Sequence, residues 1–212
     1  MSLKIHAFPL SPRGFKVLCF ANHIGADYEF VLCDLRKGAQ RTPEFTALNL
    51  NQRMPVLEED GWSLWESNAI LQYLAANAGL LPKDERARAD IARWMFWESA
   101  HWDQACAILV FERFVKGAFG LGAADEKEVE KGIAQFHRAG SVLDRHLEGR
   151  RYLCNDTLSI ADFAVGAALI MSDMAQFPLG DYAQIKRWHA QLTALPAWPK
   201  TLAMGSALAS AA

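Results

Sequence analysis

The feature that most constrains this chain is a change of sequence character near residue 80. Before it, short apolar and polar alternations interleave with turns; after it, every patterned stretch has helical spacing. Such a chain builds a mixed α/β unit followed by an all-helical one. A length of 212 residues suits one large or two small domains.

Residues 3–8 alternate apolar and polar side chains as a half-buried strand does. Pro9-Leu10-Ser11-Pro12 then turns the chain into a helix. Ser11 suits the N-cap, Pro12 suits the first helical position, and Val17, Leu18, Phe20, Ala21 and Ile24 recur at helical spacing until Gly25. Residues 28–35 favour β structure and predict a second strand, parallel to the first if the helix is the crossover. A polar stretch, 36–52, predicts a short irregular helix. Met54-Pro55-Val56-Leu57 and Trp62-Ser63-Leu64-Trp65 then flank Asp60-Gly61, a strong hairpin signal. Ser67 can cap a further helix through Ile70, Leu71 and Leu74, which Gly79 ends.

Amphipathic helices are predicted over about 85–116, 125–147, 159–175 and 181–192. Leu195-Pro196-Ala197-Trp198-Pro199 breaks that pattern before a last short helix, and the small-residue tail, 205–212, is expected to fray. The expected domains are therefore 1–79, α/β, and 85–212, all-α. Ser159-Ile160-Ala161-Asp162 has the pattern of a capping box, a folding motif rather than a catalytic one.

Composition narrows the partners. Hydrophobic residues make up 51%, charged residues 22%, and the net charge is −2, which excludes disorder and offers no basic cluster for a phosphate backbone. No apolar run approaches the ~18 residues that a membrane span needs. Neither nucleic acid nor a membrane is an expected partner, and a cytoplasmic location is the expectation. Cys19, Cys33, Cys106 and Cys154 form no CxxC and no metal-type spacing, so no metal is expected and the thiols are expected to be reduced and buried.

Four motifs in order, Ser11-Pro12-Arg13, Arg53-Met54-Pro55-Val56-Leu57, Trp65-Glu66-Ser67-Asn68-Ala69-Ile70 and Leu158-Ser159-Ile160-Ala161-Asp162, make the chain resemble the cytosolic glutathione transferases over nearly its full length. The resemblance implies a thioredoxin-like α/β N-terminal domain followed by an all-α helical C-terminal domain. It implies an enzyme that binds glutathione as co-substrate and adds its thiolate to a hydrophobic electrophile. It also implies a homodimer and a role in detoxification. An isomerase or dehalogenase on the same site, or a noncatalytic glutathione-binding or regulatory module, are the alternatives.

Residue chemistry and resemblance meet at each motif. Pro55 at a strand start is compatible with a trans or a cis bond; the resemblance implies cis, with the Met54 backbone pairing with the cysteinyl part of glutathione. Glu66 and Ser67 at a helix N-terminus are a simple cap or an anion site. The resemblance assigns Ser67 to the γ-glutamyl carboxylate and Glu66 to its ammonium. It places Gln40, Arg41 and Arg53 at the glycyl end, although Arg53 stands where similar classes commonly have glutamine. Ser11 is an N-cap or, by resemblance to the serine-type theta and phi members, the donor to the glutathione sulfur. One hydroxyl can accept from a backbone N–H and donate to sulfur at once. Arg13 either adds positive field or is a solvated first-turn residue. Position 11 is not cysteine, which argues against mixed-disulfide chemistry. Trp94, Trp97 and His101 share one helical face, and Leu10, His101, Trp102 and Phe114 are the candidates for the hydrophobic substrate pocket.

Overall fold

A computed structural model describes residues 3–154 and 156–210. The chain opens with β1 (Leu3–Ala7), α1 (Pro12–His23) and β2 (Glu29–Leu32), and β1 and β2 pair in parallel with Ile5 opposite Phe30. Single 3₁₀ turns at Leu35–Lys37 and Ala39–Arg41 lead to α2 (Pro43–Leu48), followed by the hairpin β3 (Val56–Glu59) and β4 (Trp62–Trp65). At its tip Asp60 and Gly61 both have positive φ, 49° and 82°, the backbone that an Asp-Gly turn supplies. Then comes α3 (Ser67–Asn77). The sheet order is β2-β1-β3-β4, and β3 runs antiparallel to β1 with His6 opposite Val56. This is the expected thioredoxin-like order.

The helical unit begins with α4 (Glu85–Trp97), capped by the Asp84 carboxylate on the Ala87 N–H. A π turn (Glu98–Trp102), α5 (Asp103–Val110), a second π turn (Phe111–Val115) and α6 (Lys116–Ala118) continue the same rod. The remaining helices are α7 (Glu126–His146), α8 (Ile160–Gly166) running into a 3₁₀ turn (Ala167–Met171), α9 (Ala183–Thr193) and α10 (Ala197–Ser210).

The expected domain boundary at the C-terminal end differs from the packing. The chain divides into Pro82–Leu192 and a unit made of the residues up to Leu81 plus those from Thr193 on. The reason is α10. Trp198 stacks edge-on against Phe15 of α1 with ring centroids 4.8 Å apart, and Asn22 Nδ2 donates to Thr201 Oγ1 at 2.9 Å. Helical backbone also continues to Ser210, where fraying was expected. Positions 211 and 212 of that tail lie outside the described residues.

Asp162 is the polar centre of the helical unit. Its carboxylate is fully buried and takes the Ser159 N–H at 2.9 Å, the Ser159 hydroxyl at 3.0 Å, the Leu153 N–H at 3.0 Å and the Trp188 indole N–H at 2.9 Å. The expected capping box is present, and it also ties α9 and the preceding loop to α8. Burial raises the Asp162 pKa, and the hydrogen bonds pull it back down only in part. Asp162→Ala leaves several buried donors without an acceptor and is expected to cost about 3 kcal/mol or more in urea unfolding; a loss near the ~1 kcal/mol of a simple cap would show that the network is not shared.

Candidate active site

The sheet brings the motif residues to one end. Because β3 is antiparallel to both neighbours, the end of β1, the start of β3 and the end of β4 coincide: His6 faces Val56, and Val56 faces Trp65. The loop carrying Ser11 leaves β1 here, Met54-Pro55 enters β3 here, and Trp65-Glu66-Ser67 leaves β4 here. The Leu32 end of β2, opposite Ala7, sends residues 34–41 to the same side.

Ser11 occupies the N-cap position of α1 with extended φ and ψ, −86° and 131°, yet its side chain makes no capping hydrogen bond. Its backbone N–H donates to the Phe8 carbonyl at 3.0 Å and its own carbonyl accepts from Phe15 at 2.7 Å. Gly14 makes this tight turn possible, since a Cβ there would stand 2.5 Å from the Phe8 carbonyl oxygen. The Ser11 hydroxyl is thus held at the start of a helix and left available to another acceptor.

The Met54–Pro55 bond is cis. Met54 packs on the cluster of Cys33, Phe45 and Val56, which anchors the irregular segment beneath the sheet end. Asn49, buried at 3% exposure, accepts the Asn51 N–H at 2.9 Å and donates to the Arg53 carbonyl at 2.7 Å, bracing the loop that presents Met54. Asn49 was missed in the sequence, where an asparagine in a polar loop signals only a turn. Lys16 was missed as well: it is buried in α1 and donates to Asn68 Oδ1 at 2.8 Å, next to Ser67. Nothing in the helical pattern marks it.

Ser67 is the first residue of α3 rather than its cap, and Glu66 takes the N-cap position with a left-handed φ of 70°. Such a conformation costs a non-glycine residue on the order of 1–3 kcal/mol and is characteristic of functional sites. Two adjoining cavities follow. One, of about 490 Å³, is lined by Asn49, Met54, Pro55, Trp65, Glu66 and Ser67; the other, of about 430 Å³, by Leu35, Gln40, Arg41 and Gln52; Arg13, Asn51, Arg53 and Met54 border both. Of the site candidates, Gln40 and Arg41 line one cavity, Pro55, Glu66 and Ser67 line the other, and Arg53 and Met54 belong to both. Among the described residues Gln40 Oε1 is buried without a hydrogen-bond partner.

The proposed apolar pocket fares unevenly. Leu10 is 36% exposed beside Ser11 and rests on α10, where Gly205 leaves it room. His101 is exposed and Phe114 half-buried. Trp102 is corrected: it is fully buried, its indole donates to the Val165 carbonyl at 3.0 Å, and it packs on Phe136. The π turn ending at Trp102 explains the difference. In a regular helix Trp102 stands about 80° from Trp94, and the slower rotation of the π turn returns it to the buried stripe.

The cysteines are inert packing. Burial pushes Cys19 up to about 12, Cys33 to about 11 and Cys154 to about 12, and holds Cys106 well above its ordinary value. Among the described residues there is no group of three or more His, Cys, Asp or Glu placed to hold a metal, and no helix is long and apolar enough to cross a membrane.

Residues 1–76 match the family described as glutathione S-transferase, N-terminal domain, and residues 126–191 match glutathione S-transferase, C-terminal domain. The chain is 34% identical to glutathione S-transferase 3 of Zea mays, over 95% of this chain and 93% of that one. It superposes on a glutathione S-transferase from Pseudomonas fluorescens with a TM-score of 0.84 at 32% identity, covering 93% and 97% of the two chains. A glutathione transferase from Pseudomonas putida, crystallised with one glutathione disulfide per subunit, superposes with a TM-score of 0.82 at 27% identity over 95% and 90%.

With no cap bond to lose, Ser11→Ala is expected to change unfolding free energy by less than about 0.5 kcal/mol in chemical denaturation, whereas a capping serine would cost about 1 kcal/mol.

Proposed function

Because the chain belongs to the glutathione S-transferase family, we propose that Ser11 activates the thiol of bound glutathione and that the thiolate attacks an electrophilic carbon of a hydrophobic co-substrate. The observation that carries this reading is the Ser11 hydroxyl, uncommitted to capping, at the N-terminus of a 12-residue helix. Glutathione lies across the two cavities. Met54 pairs its backbone with the cysteinyl residue beside Pro55, Ser67 and the N-terminus of α3 take the γ-glutamyl carboxylate, and Glu66 takes the ammonium. Gln40, Arg41 and Arg53 hold the glycyl end. The glutathione disulfide in the similar Pseudomonas putida protein supports such a site.

The magnitudes suffice. Lowering a thiol pKa by about two units from ~8.5 needs about 2.7 kcal/mol of preference for the anion. A hydrogen bond to a charged group supplies roughly 1.5–3 kcal/mol and a helix N-terminus roughly 0.3–2. The thiol proton leaves to solvent as the thiolate forms; the sulfur then forms the S–C bond while the bond from that carbon to its leaving group breaks, for an aryl halide releasing the halide ion to solvent. Leu10 offers apolar surface next to Ser11 for the hydrophobic co-substrate.

The same reading describes a cytoplasmic detoxification enzyme that works as a homodimer. Trp62 and Trp65, 47% and 42% exposed on the edge strand β4, are the side chains that a subunit contact would cover.

Ser11→Ala is expected to lower turnover with an activated aryl halide by about 10- to 100-fold while glutathione affinity changes little. Turnover unchanged by the substitution would assign thiolate formation to another group.

A further inference from the structure

The glycyl end of this site carries more positive charge than glycine can use. Arg41 and Arg53 border the 430 Å³ cavity, Arg13 joins them, and no acidic side chain lines it. Among the described residues neither Arg41 nor Arg53 has a hydrogen-bonded or ion-paired side-chain partner. The contrast lies a few residues upstream. Arg36 is neutralised by Asp34 through two bonds, Nε to Oδ1 at 3.0 Å and Nη2 to Oδ2 at 3.1 Å, and the Asp34 carboxyl is held below its ordinary pKa by that contact. Arg36 is thus paired, whereas Arg41 and Arg53 border the cavity with no acidic side chain lining it.

A single carboxylate is satisfied by one guanidinium in bidentate geometry. The glycyl carboxylate of glutathione occupies one of the two arginines, and the other faces solvent. Room is also left over. The cavity of about 430 Å³ is open and larger than the five heavy atoms of a glycyl residue fill. Gln40 lines this cavity and its buried Oε1 has no hydrogen-bond partner among the described residues, an acceptor that a rotation of the side chain would present to the amide N–H of a third residue.

We infer that the thiol co-substrate class of this protein extends to γ-glutamylcysteinyl peptides whose third residue is acidic, the α-carboxylate and the side-chain carboxylate each taking one of Arg41 and Arg53. The inference rests on the glutathione reading above and concerns only its glycyl end. A glutamate or aspartate at the third position adds one anion within reach of the second guanidinium. Its chain displaces loosely held water from an open, polar cavity. The thiol and the γ-glutamyl end are unchanged, so the chemistry at Ser11 is the same.

The test is calorimetric titration of the full chain with glutathione, with γ-Glu-Cys-Glu, and with γ-Glu-Cys-Gln as the neutral match in size. The acidic peptide is expected to bind about fivefold more tightly than the amide at low ionic strength, an advantage that shrinks in high salt. Arg41→Gln and Arg53→Gln are each expected to abolish the preference for acid over amide, and the one of the two that removes the partner of the glycyl carboxylate is expected also to weaken glutathione. Both side chains are exposed, so the variants keep the fold, and Arg41→Lys should restore part of the preference. Glutathione binding with no distinction between acid and amide, or a distinction that survives both glutamine variants, overturns the inference alone. Failure of wild type to bind any of the three peptides overturns the glutathione reading and this inference with it.

Discussion

The antiparallel pairing of β3 with β1 is the constraint on which the candidate site depends. It sets Val56 opposite His6, and through β4 it sets Trp65 opposite Val56. Three loops that are distant in sequence therefore leave the sheet at one end. A register slip of one residue would exchange the two buried faces on which Val56 and Leu57 lie and rotate Met54 away from its cluster with Cys33, Phe45 and Val56. The hydrophobic pattern that holds the sheet together thus also places the Met54 backbone of the candidate site. Stability and function share one cause here.

The electrostatic character of the sheet end follows from what is paired and what is not. Cations and helix N-termini gather there, with Glu66 the one carboxylate that lines either cavity among the described residues. Titratable thiols elsewhere are silenced by burial, and Asp162 is spent on holding the helical unit together. What lines the cavities is mainly hydroxyl, amide and guanidinium groups with the single carboxylate of Glu66, a set suited to binding an anion.

Much of this was legible in the sequence because it rests on local rules. Asp60-Gly61 demands a tight hairpin, Ser159 and Asp162 close a capping box, and the apolar alternation of 3–8 makes a strand. The cis bond at Met54-Pro55 and the grouping of Gln40, Arg41, Arg53 and Ser67 came from the family resemblance and not from local physics. The misses are non-local or break periodicity. Trp102 moved into the core because a π turn shifts the phase of the helix, which no 3.6-residue pattern reports. Glu66 displaced Ser67 as the N-cap by adopting a left-handed backbone that propensity disfavours. The assignment of α10 to the first unit depends on Trp198 meeting Phe15, a contact across more than 180 residues of chain. Lys16 and Asn49 bury polar groups whose partners are visible only once the fold is formed.

The central claim is that the site stabilises glutathione as its thiolate. The direct measurement is the number of protons released on binding, by titration calorimetry at pH 7 in two buffers of different ionisation enthalpy, with S-methylglutathione as the control. A free thiol near pKa 8.5 that falls by about two units in the complex releases roughly 0.7 proton per glutathione bound, and S-methylglutathione releases none. Equal, near-zero release from both ligands would show that glutathione binds as the thiol, and would contradict the account.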